Sequence, residues 1–140
     1  MKNIMLLLLA IAFLFSCSKE EKKLTLKNPE VFSFYVDDSW EVTATAFAEG
    51  FKVNKNGDNN YVNLFYQVDL ITPEGDTVKQ IDLGTIEEVQ KDEEEEVKIE
   101  SQIALGSNFK EGKYKLVIDV KDLLSNQETK TVKEINLTKE

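Results

Sequence analysis

Enzymes draw on a short menu of side chains, and this sequence lacks two of them altogether. Its 140 residues include 26 Asp and Glu, 17 lysines and one cysteine, with neither histidine nor arginine. Without histidine there is no Ser-His-Asp triad, no imidazole pH switch and no His-ligated zinc or haem. Without arginine there is no bidentate fork for a carboxylate or phosphate. A net charge of −9 lacks the basic footprint of a nucleic-acid binder, so no nucleic-acid partner is expected. Carboxylates alone can run glycoside hydrolysis when two of them stand about 5 to 9.5 Å apart. Nothing singles out such a pair among 26 acids, and a chain this short has little room for a walled cleft. Neither catalytic residues nor a cofactor are expected.

Smaller constellations could meet a ligand or a partner. Asn54, Asn56 and Asp58 alternate around Gly57, as oxygen ligands do on the sharp turn of a calcium loop. Six residues after that glycine, however, stands Asn63 and not the glutamate of an EF-hand, and an ordinary Asn/Gly turn explains the same residues. Asp37 and Asp38 beside Trp40 form a candidate ligand-contact patch, because an aromatic face stacks on sugars while carboxylates accept hydrogen bonds. The competing reading is a solvated turn next to a core tryptophan. The acidic run Asp92 to Glu95 is expected to be a solvated loop that resists edge-to-edge pairing. Phe47, Phe51 and Phe65 fall on the outer phase of their expected strands, where they would cover a sheet face or meet a partner.

The strongest local signal is N-terminal. Met1-Lys2-Asn3 is a short basic region, and Ile4 to Phe15 is a run of 12 apolar residues. That run is too short for the roughly 20 residues of a membrane-spanning helix and reads as a targeting segment. It ends in Leu14-Phe15-Ser16-Cys17, which resembles the lipobox of bacterial lipoproteins, although Phe15 is bulkier than the usual residue there. The resemblance implies that residues 1–16 are cleaved as a signal peptide and that Cys17 carries a diacylglyceryl thioether, with the membrane as a partner. Cysteine arithmetic agrees, since the sole cysteine of an exported chain can form no intramolecular disulfide. Each buried methylene contributes about 0.8 kcal/mol, so two or three acyl chains hold a protein durably where one does not.

The charged run Lys19-Glu20-Glu21-Lys22-Lys23 loosely resembles the acidic surface-export signals of Bacteroidota lipoproteins. The resemblance implies a cell-envelope, outer-membrane location, facing either the periplasm or the surface. Asp76-Thr77-Val78 resembles the O-glycosylation sequence of exported Bacteroidota proteins, with Thr77 as acceptor. Asn136-Leu137-Thr138 fits the N-glycosylation sequon, which a bacterial lipoprotein would rarely use. Cleavage before Cys17 would remove one lysine and no acid, leaving 124 residues at −10.

The elements that must position these residues read as strands. Apolar residues alternate with polar ones, and turn residues punctuate the chain. Val31 to Val36 is one run; in the next, Val42, Ala44, Ala46 and Ala48 share a face. Asn54 to Asn60 reads as a turn-rich loop, and then Val62, Leu64, Tyr66, Val68 and Leu70 form one face of a strand. Thr72 to Asp76 turns the chain into Thr77 to Leu83. Thr85-Ile86-Glu87-Glu88 admits a helix-opening capping box, but a strand, an acidic loop and another strand through Val97 and Ile99 is the preferred reading of residues 85–100. Leu116, Ile118 and Val120 alternate next, Asp122 to Gln127 turns, and a change of phase between Val132 and Ile135 predicts a bulge in the last strand.

Phe109-Lys110-Glu111-Gly112-Lys113-Tyr114 ahead of an alternating strand resembles the tyrosine corner of immunoglobulin-like and fibronectin type III sandwiches. The resemblance implies an all-β, immunoglobulin-like β-sandwich of seven or eight antiparallel strands over residues 30–140, with residues 17–29 as lipidated cysteine and charged tether. The second-strand cysteine of antibody domains is missing, and Trp40 lies at the start of the second run. Two functions fit: a non-catalytic binding module for a glycan or a protein, and an accessory subunit packing against an envelope protein.

Overall fold

The structure, a computed structural model, describes residues 22–90 and 96–139. The expected signal segment, Cys17 and the acidic run Asp92 to Glu95 lie outside the described residues. Within the described residues eight strands form: β1 (Thr25–Val36), β2 (Ser39–Glu49), β3 (Asn54–Asn56), β4 (Asn59–Ile71), β5 (Thr77–Gln90), β6 (Glu96–Leu105), β7 (Gly112–Asp122) and β8 (Glu128–Leu137). All pairings are antiparallel. One sheet has the order β1-β2-β6; in the other, β4 pairs with β5, β3 and β7, and β8 lies beyond β7.

Period-two patterning makes this a sandwich. Trp40, Val42, Ala44, Ala46 and Ala48 of β2 point inward beside Val97, Ile99, Ile103 and Leu105 of β6. The second sheet contributes Val62, Leu64, Val68 and Leu70 from β4 and Leu116, Ile118 and Val120 from β7. Each large aliphatic side chain buried this way contributes about 1.5–3 kcal/mol. The alanine row of β2 leaves room for the bulkier aliphatic side chains of the same core cluster.

Several boundaries differ from the sequence reading. The domain begins earlier than residue 30, because Leu24 is a core residue and β1 starts at Thr25. Asn28, at φ 48°, forms a bulge between Lys27 and Glu30 that keeps both halves of β1 in register with β2. The preferred strand reading of residues 85–90 holds, since they continue β5, pairing Thr85 with Phe65 and Gln90 with Asn60, and no capping-box helix forms there. Asn54 to Asn60 is a tight hairpin between β3 and β4 and not an open loop.

The expected bulge in the last strand is also absent. β8 pairs regularly with β7, and Val132 points outward opposite Val117 while Ile135 and Leu137 point inward. Besides the β1 bulge, a second irregularity lies in β5, where the partner of β4 steps from Asp82 to Val78 around Gln80 at φ 54°. The Asp69 carboxylate fixes that bulge by accepting the Gln80 N–H at 2.8 Å.

The registers define two ends. At the N-terminal end, Glu49 lies opposite Thr25 and Glu96, the β3–β4 hairpin and the β7–β8 turn stand beside them, and a Lys52 N–H to Asp122 hydrogen bond of 2.7 Å ties the β2–β3 connection to the end of β7. At the far end stand the β1–β2 turn at Asp37-Asp38, the β4–β5 turn at Thr72 to Asp76 and the β6–β7 corner.

Candidate functional site

The far end carries the expected patch of Asp37, Asp38 and Trp40, and the structure corrects it for the tryptophan. Trp40 is 0% exposed, so it has no face to offer a ligand. Its ring packs against Tyr35 at 4.7 Å between centroids, and its indole N–H donates to the Phe109 carbonyl at 2.9 Å. A buried indole needs such an acceptor. Asp37 and Asp38 remain exposed in a turn with both residues at positive φ, 48° and 62°, which matches the hairpin turn favoured between twisted strands. Asp38 accepts a hydrogen bond from the Tyr35 hydroxyl, and Lys139 lies 4.3 Å over the Tyr35 ring.

The same end holds the tyrosine corner. The Tyr114 hydroxyl donates to the Lys110 carbonyl at 2.9 Å, and the Tyr114 ring faces Phe109 at 6.3 Å. Burial pushes the Tyr114 hydroxyl above its ordinary range, and the nearby Glu74 charge adds to the shift.

The N-terminal end is built from polar contacts. Asp122 is fully buried, and its carboxylate accepts the Lys52 N–H at 2.7 Å, the Leu124 N–H at 2.9 Å and the Ser125 hydroxyl at 2.6 Å. Gln127 uses both ends of its amide on the incoming chain: Oε1 accepts the Leu24 N–H at 2.9 Å and Nε2 donates to the Lys22 carbonyl at 3.1 Å. Gly50, at φ 75°, lets the backbone of Lys23 approach so closely that a Cβ there would stand 2.1 Å from the Lys23 carbonyl oxygen.

Asn54, Asn56 and Asp58, the calcium candidates, are exposed on the hairpin at this end. Among the described residues no three Asp, Glu, Cys or His side chains gather as metal ligands would. The hairpin instead lines an open concavity of about 470 Å³ with Asn54, Lys55, Asn56, Asn59 and Tyr61. The expected ligand residues are therefore divided: Asp37 and Asp38 stand at one end and the Asn54–Asp58 hairpin at the other. Thr77 is exposed at the start of β5 near the far end.

Sequence phase placed Phe47 and Phe65 correctly on the outer faces of β2 and β4, misplaced Phe51 and passed over the most exposed row. Phe51 is buried, and Phe47 and Phe65 are half-buried. The exposed row is on β1, where Phe32, Phe34 and Val36 are 55%, 64% and 48% exposed. They share the outer face of the first sheet with Thr43 and Glu41 of β2, the residues opposite Phe32 and Phe34. One signal was available: Val31 to Val36 has apolar residues on both phases of its alternation, whereas a strand with a solvated face has them on one. On the second sheet's outer face, Lys121 pairs with Glu128 at 2.8 Å, and Gln67, Asp69 and Gln80 form a hydrogen-bonded set. Burial raises the Asp119 carboxyl there, with Glu128 adding to the shift.

A polar strut links the sheets at the side where β5 meets β6. Ser101 of β6, buried in the interior, donates its hydroxyl to Asp82 of β5, and the Tyr66 hydroxyl lies 3.5 Å from the same carboxylate oxygen. Burial, followed by the Asp82 charge, raises the Tyr66 hydroxyl above its usual range. With no histidine in the chain, Ser101 has no imidazole to activate it.

Strand order, the inward alternation of both sheets and the hydrogen-bonded Tyr114 corner make this an immunoglobulin-like β-sandwich. No protein-family model matches the chain, and no curated protein matches it. No helix among the described residues is long and apolar enough to cross a membrane.

Proposed function

We propose that the chain is a lipid-anchored, cell-envelope lipoprotein of the outer membrane, held by Cys17, whose domain is a non-catalytic module binding another envelope protein. The observation that carries the binding half is the Phe32-Phe34-Val36 row: three successive same-face positions left about half exposed on one rim of a sheet. Exposed apolar residues scattered singly need no explanation, whereas a contiguous row marks a contact surface. The burial of Trp40 and the grouping of exposed aromatics on a sheet face favour a protein partner over a sugar stacked at the loops. The anchor half rests on the lipobox-like Leu14-Phe15-Ser16-Cys17.

A second reading has its own observation: the concavity lined by Tyr61 and the Asn54, Asn56 and Asn59 side chains offers an aromatic ring and amides, a combination suited to a glycan. Capture of the tagged protein from its native envelope should return a stoichiometric protein partner that Phe34→Ser weakens and Tyr61→Ala leaves in place. The opposite pattern, or a positive glycan array sensitive to Tyr61→Ala, selects the glycan. Cys17→Ser should abolish lipid labelling and membrane retention, and unchanged fractionation would refute the anchor.

A further inference from the structure

We infer that the N-terminal end of the sandwich, with the β3–β4 hairpin and the β7–β8 turn, faces the bilayer that carries the anchor, and that Gln127 enforces this orientation by fixing where the tether leaves the domain. The inference rests on the anchored reading of Cys17.

Leu24 is 1% exposed and belongs to the core, so the chain cannot peel away beyond it without unfolding. Gln127 extends the fixed region back to Lys22 by gripping the Leu24 N–H and the Lys22 carbonyl, and Gly50 lets the Lys23 backbone lie flat against the β2–β3 connection. Five residue steps separate Cys17 from Lys22. Fully extended, five steps reach about 18 Å. β1 has 12 residues, and at about 3.3 Å per residue it spans about 40 Å. A span less than half the height of the domain keeps the N-terminal end within reach of the headgroups and excludes the inverted orientation, which would lift Lys22 about 40 Å above them.

Charge does not decide the orientation, because the exposed lysines Lys22, Lys23 and Lys52 share this end with Asp58 and Glu96. The length of that span decides it. One consequence is that the β3–β4 hairpin and its concavity lie near the membrane. Another is that Phe32 to Val36 stands about 25 to 40 Å along β1 from the tether, at a height a partner rising from the same bilayer would meet.

The test uses the mature lipidated protein in phosphatidylethanolamine/phosphatidylglycerol vesicles containing a lipid with a nitroxide on its headgroup. Because Cys17 is consumed by its thioether, Asp58→Cys and Glu74→Cys each provide the single free thiol for a fluorophore, one at each end of the domain. Position 58 should be quenched several-fold more strongly than position 74. Gln127→Ala should narrow that difference, since the span then runs seven steps to Leu24, about 25 Å. Equal quenching at both positions in protein that floats with the vesicles overturns the orientation and leaves the anchor standing. Protein that does not float overturns both. A difference untouched by Gln127→Ala overturns the role given to Gln127.

Discussion

The two ends of this sandwich are held together by different chemistry. The far end is closed by rings: Trp40 under Tyr35, its N–H on the Phe109 carbonyl, and Phe109 against Tyr114. The N-terminal end is closed by a buried carboxylate and an amide, Asp122 and Gln127, both spent mainly on backbone groups. Aromatic packing stabilises mainly through the area it removes from water, with about 0.5–1.5 kcal/mol more from ring geometry. Side-chain hydrogen bonds to backbone contribute less each, but they fix where a chain segment runs. The end through which the chain enters is thus the end built for position, and the opposite end is built for stability.

If that contrast holds, truncating the centre of the far end should cost most. Trp40→Ala leaves a large cavity and orphans the Phe109 carbonyl, and should lower the unfolding free energy by about 3–5 kcal/mol. Urea denaturation checks this, and a loss smaller than that of the next variant would reverse the comparison. Asp122→Ala removes the acceptor of three donors, two of them in turns that water can reach on small movements. Its expected cost is about 2–3 kcal/mol. Hydrogen exchange should localise the damage, with faster exchange at Lys52 and Leu124 and little change at the tyrosine corner. Uniform acceleration across both ends would show that they do not behave separately.

The same contrast explains what the sequence made legible. The far-end corner was readable because Gly112 and Tyr114 ahead of an alternating strand form a local pattern, and the Tyr114–Lys110 hydrogen bond spans four residues. The alanine face of β2 was readable by period alone. The N-terminal end was not, because its long ties join residues 70 to 105 positions apart, as in Lys52 to Asp122 and Leu24 to Gln127, and nothing in Asp122 or Gln127 themselves distinguishes them from other turn residues. Trp40 shows the converse, because of its two readings the core one holds and the ligand contact does not. Two neighbouring aspartates made it look like a binding residue, but β-strand alternation sends it inward while they sit in the turn outside. The Phe32-Phe34-Val36 row was missed because alternation assumes that one phase is polar, and in β1 neither is.

The smallest effect concerns the corner itself. Tyr114→Phe keeps the ring and its packing against Phe109 and deletes only the hydroxyl bonded to Lys110. It should cost about 1 kcal/mol at neutral pH. The pH dependence separates this bond from the packing. Burial, then the Glu74 charge, raises the folded-state pKa of Tyr114 above the ordinary value of 10.0, so the fold favours the neutral phenol. Stability linked to that group is fully present below the unfolded value and falls as pH rises from there through the raised folded value, because the unfolded chain releases its proton first. The wild-type protein should therefore lose stability above about pH 10, and Tyr114→Phe should lose less over the same interval, so that the two denaturation midpoints converge as pH rises. Parallel curves would mean that the hydroxyl is as free to ionise in the folded corner as in the unfolded chain, and the far end would then owe its closure to ring packing alone.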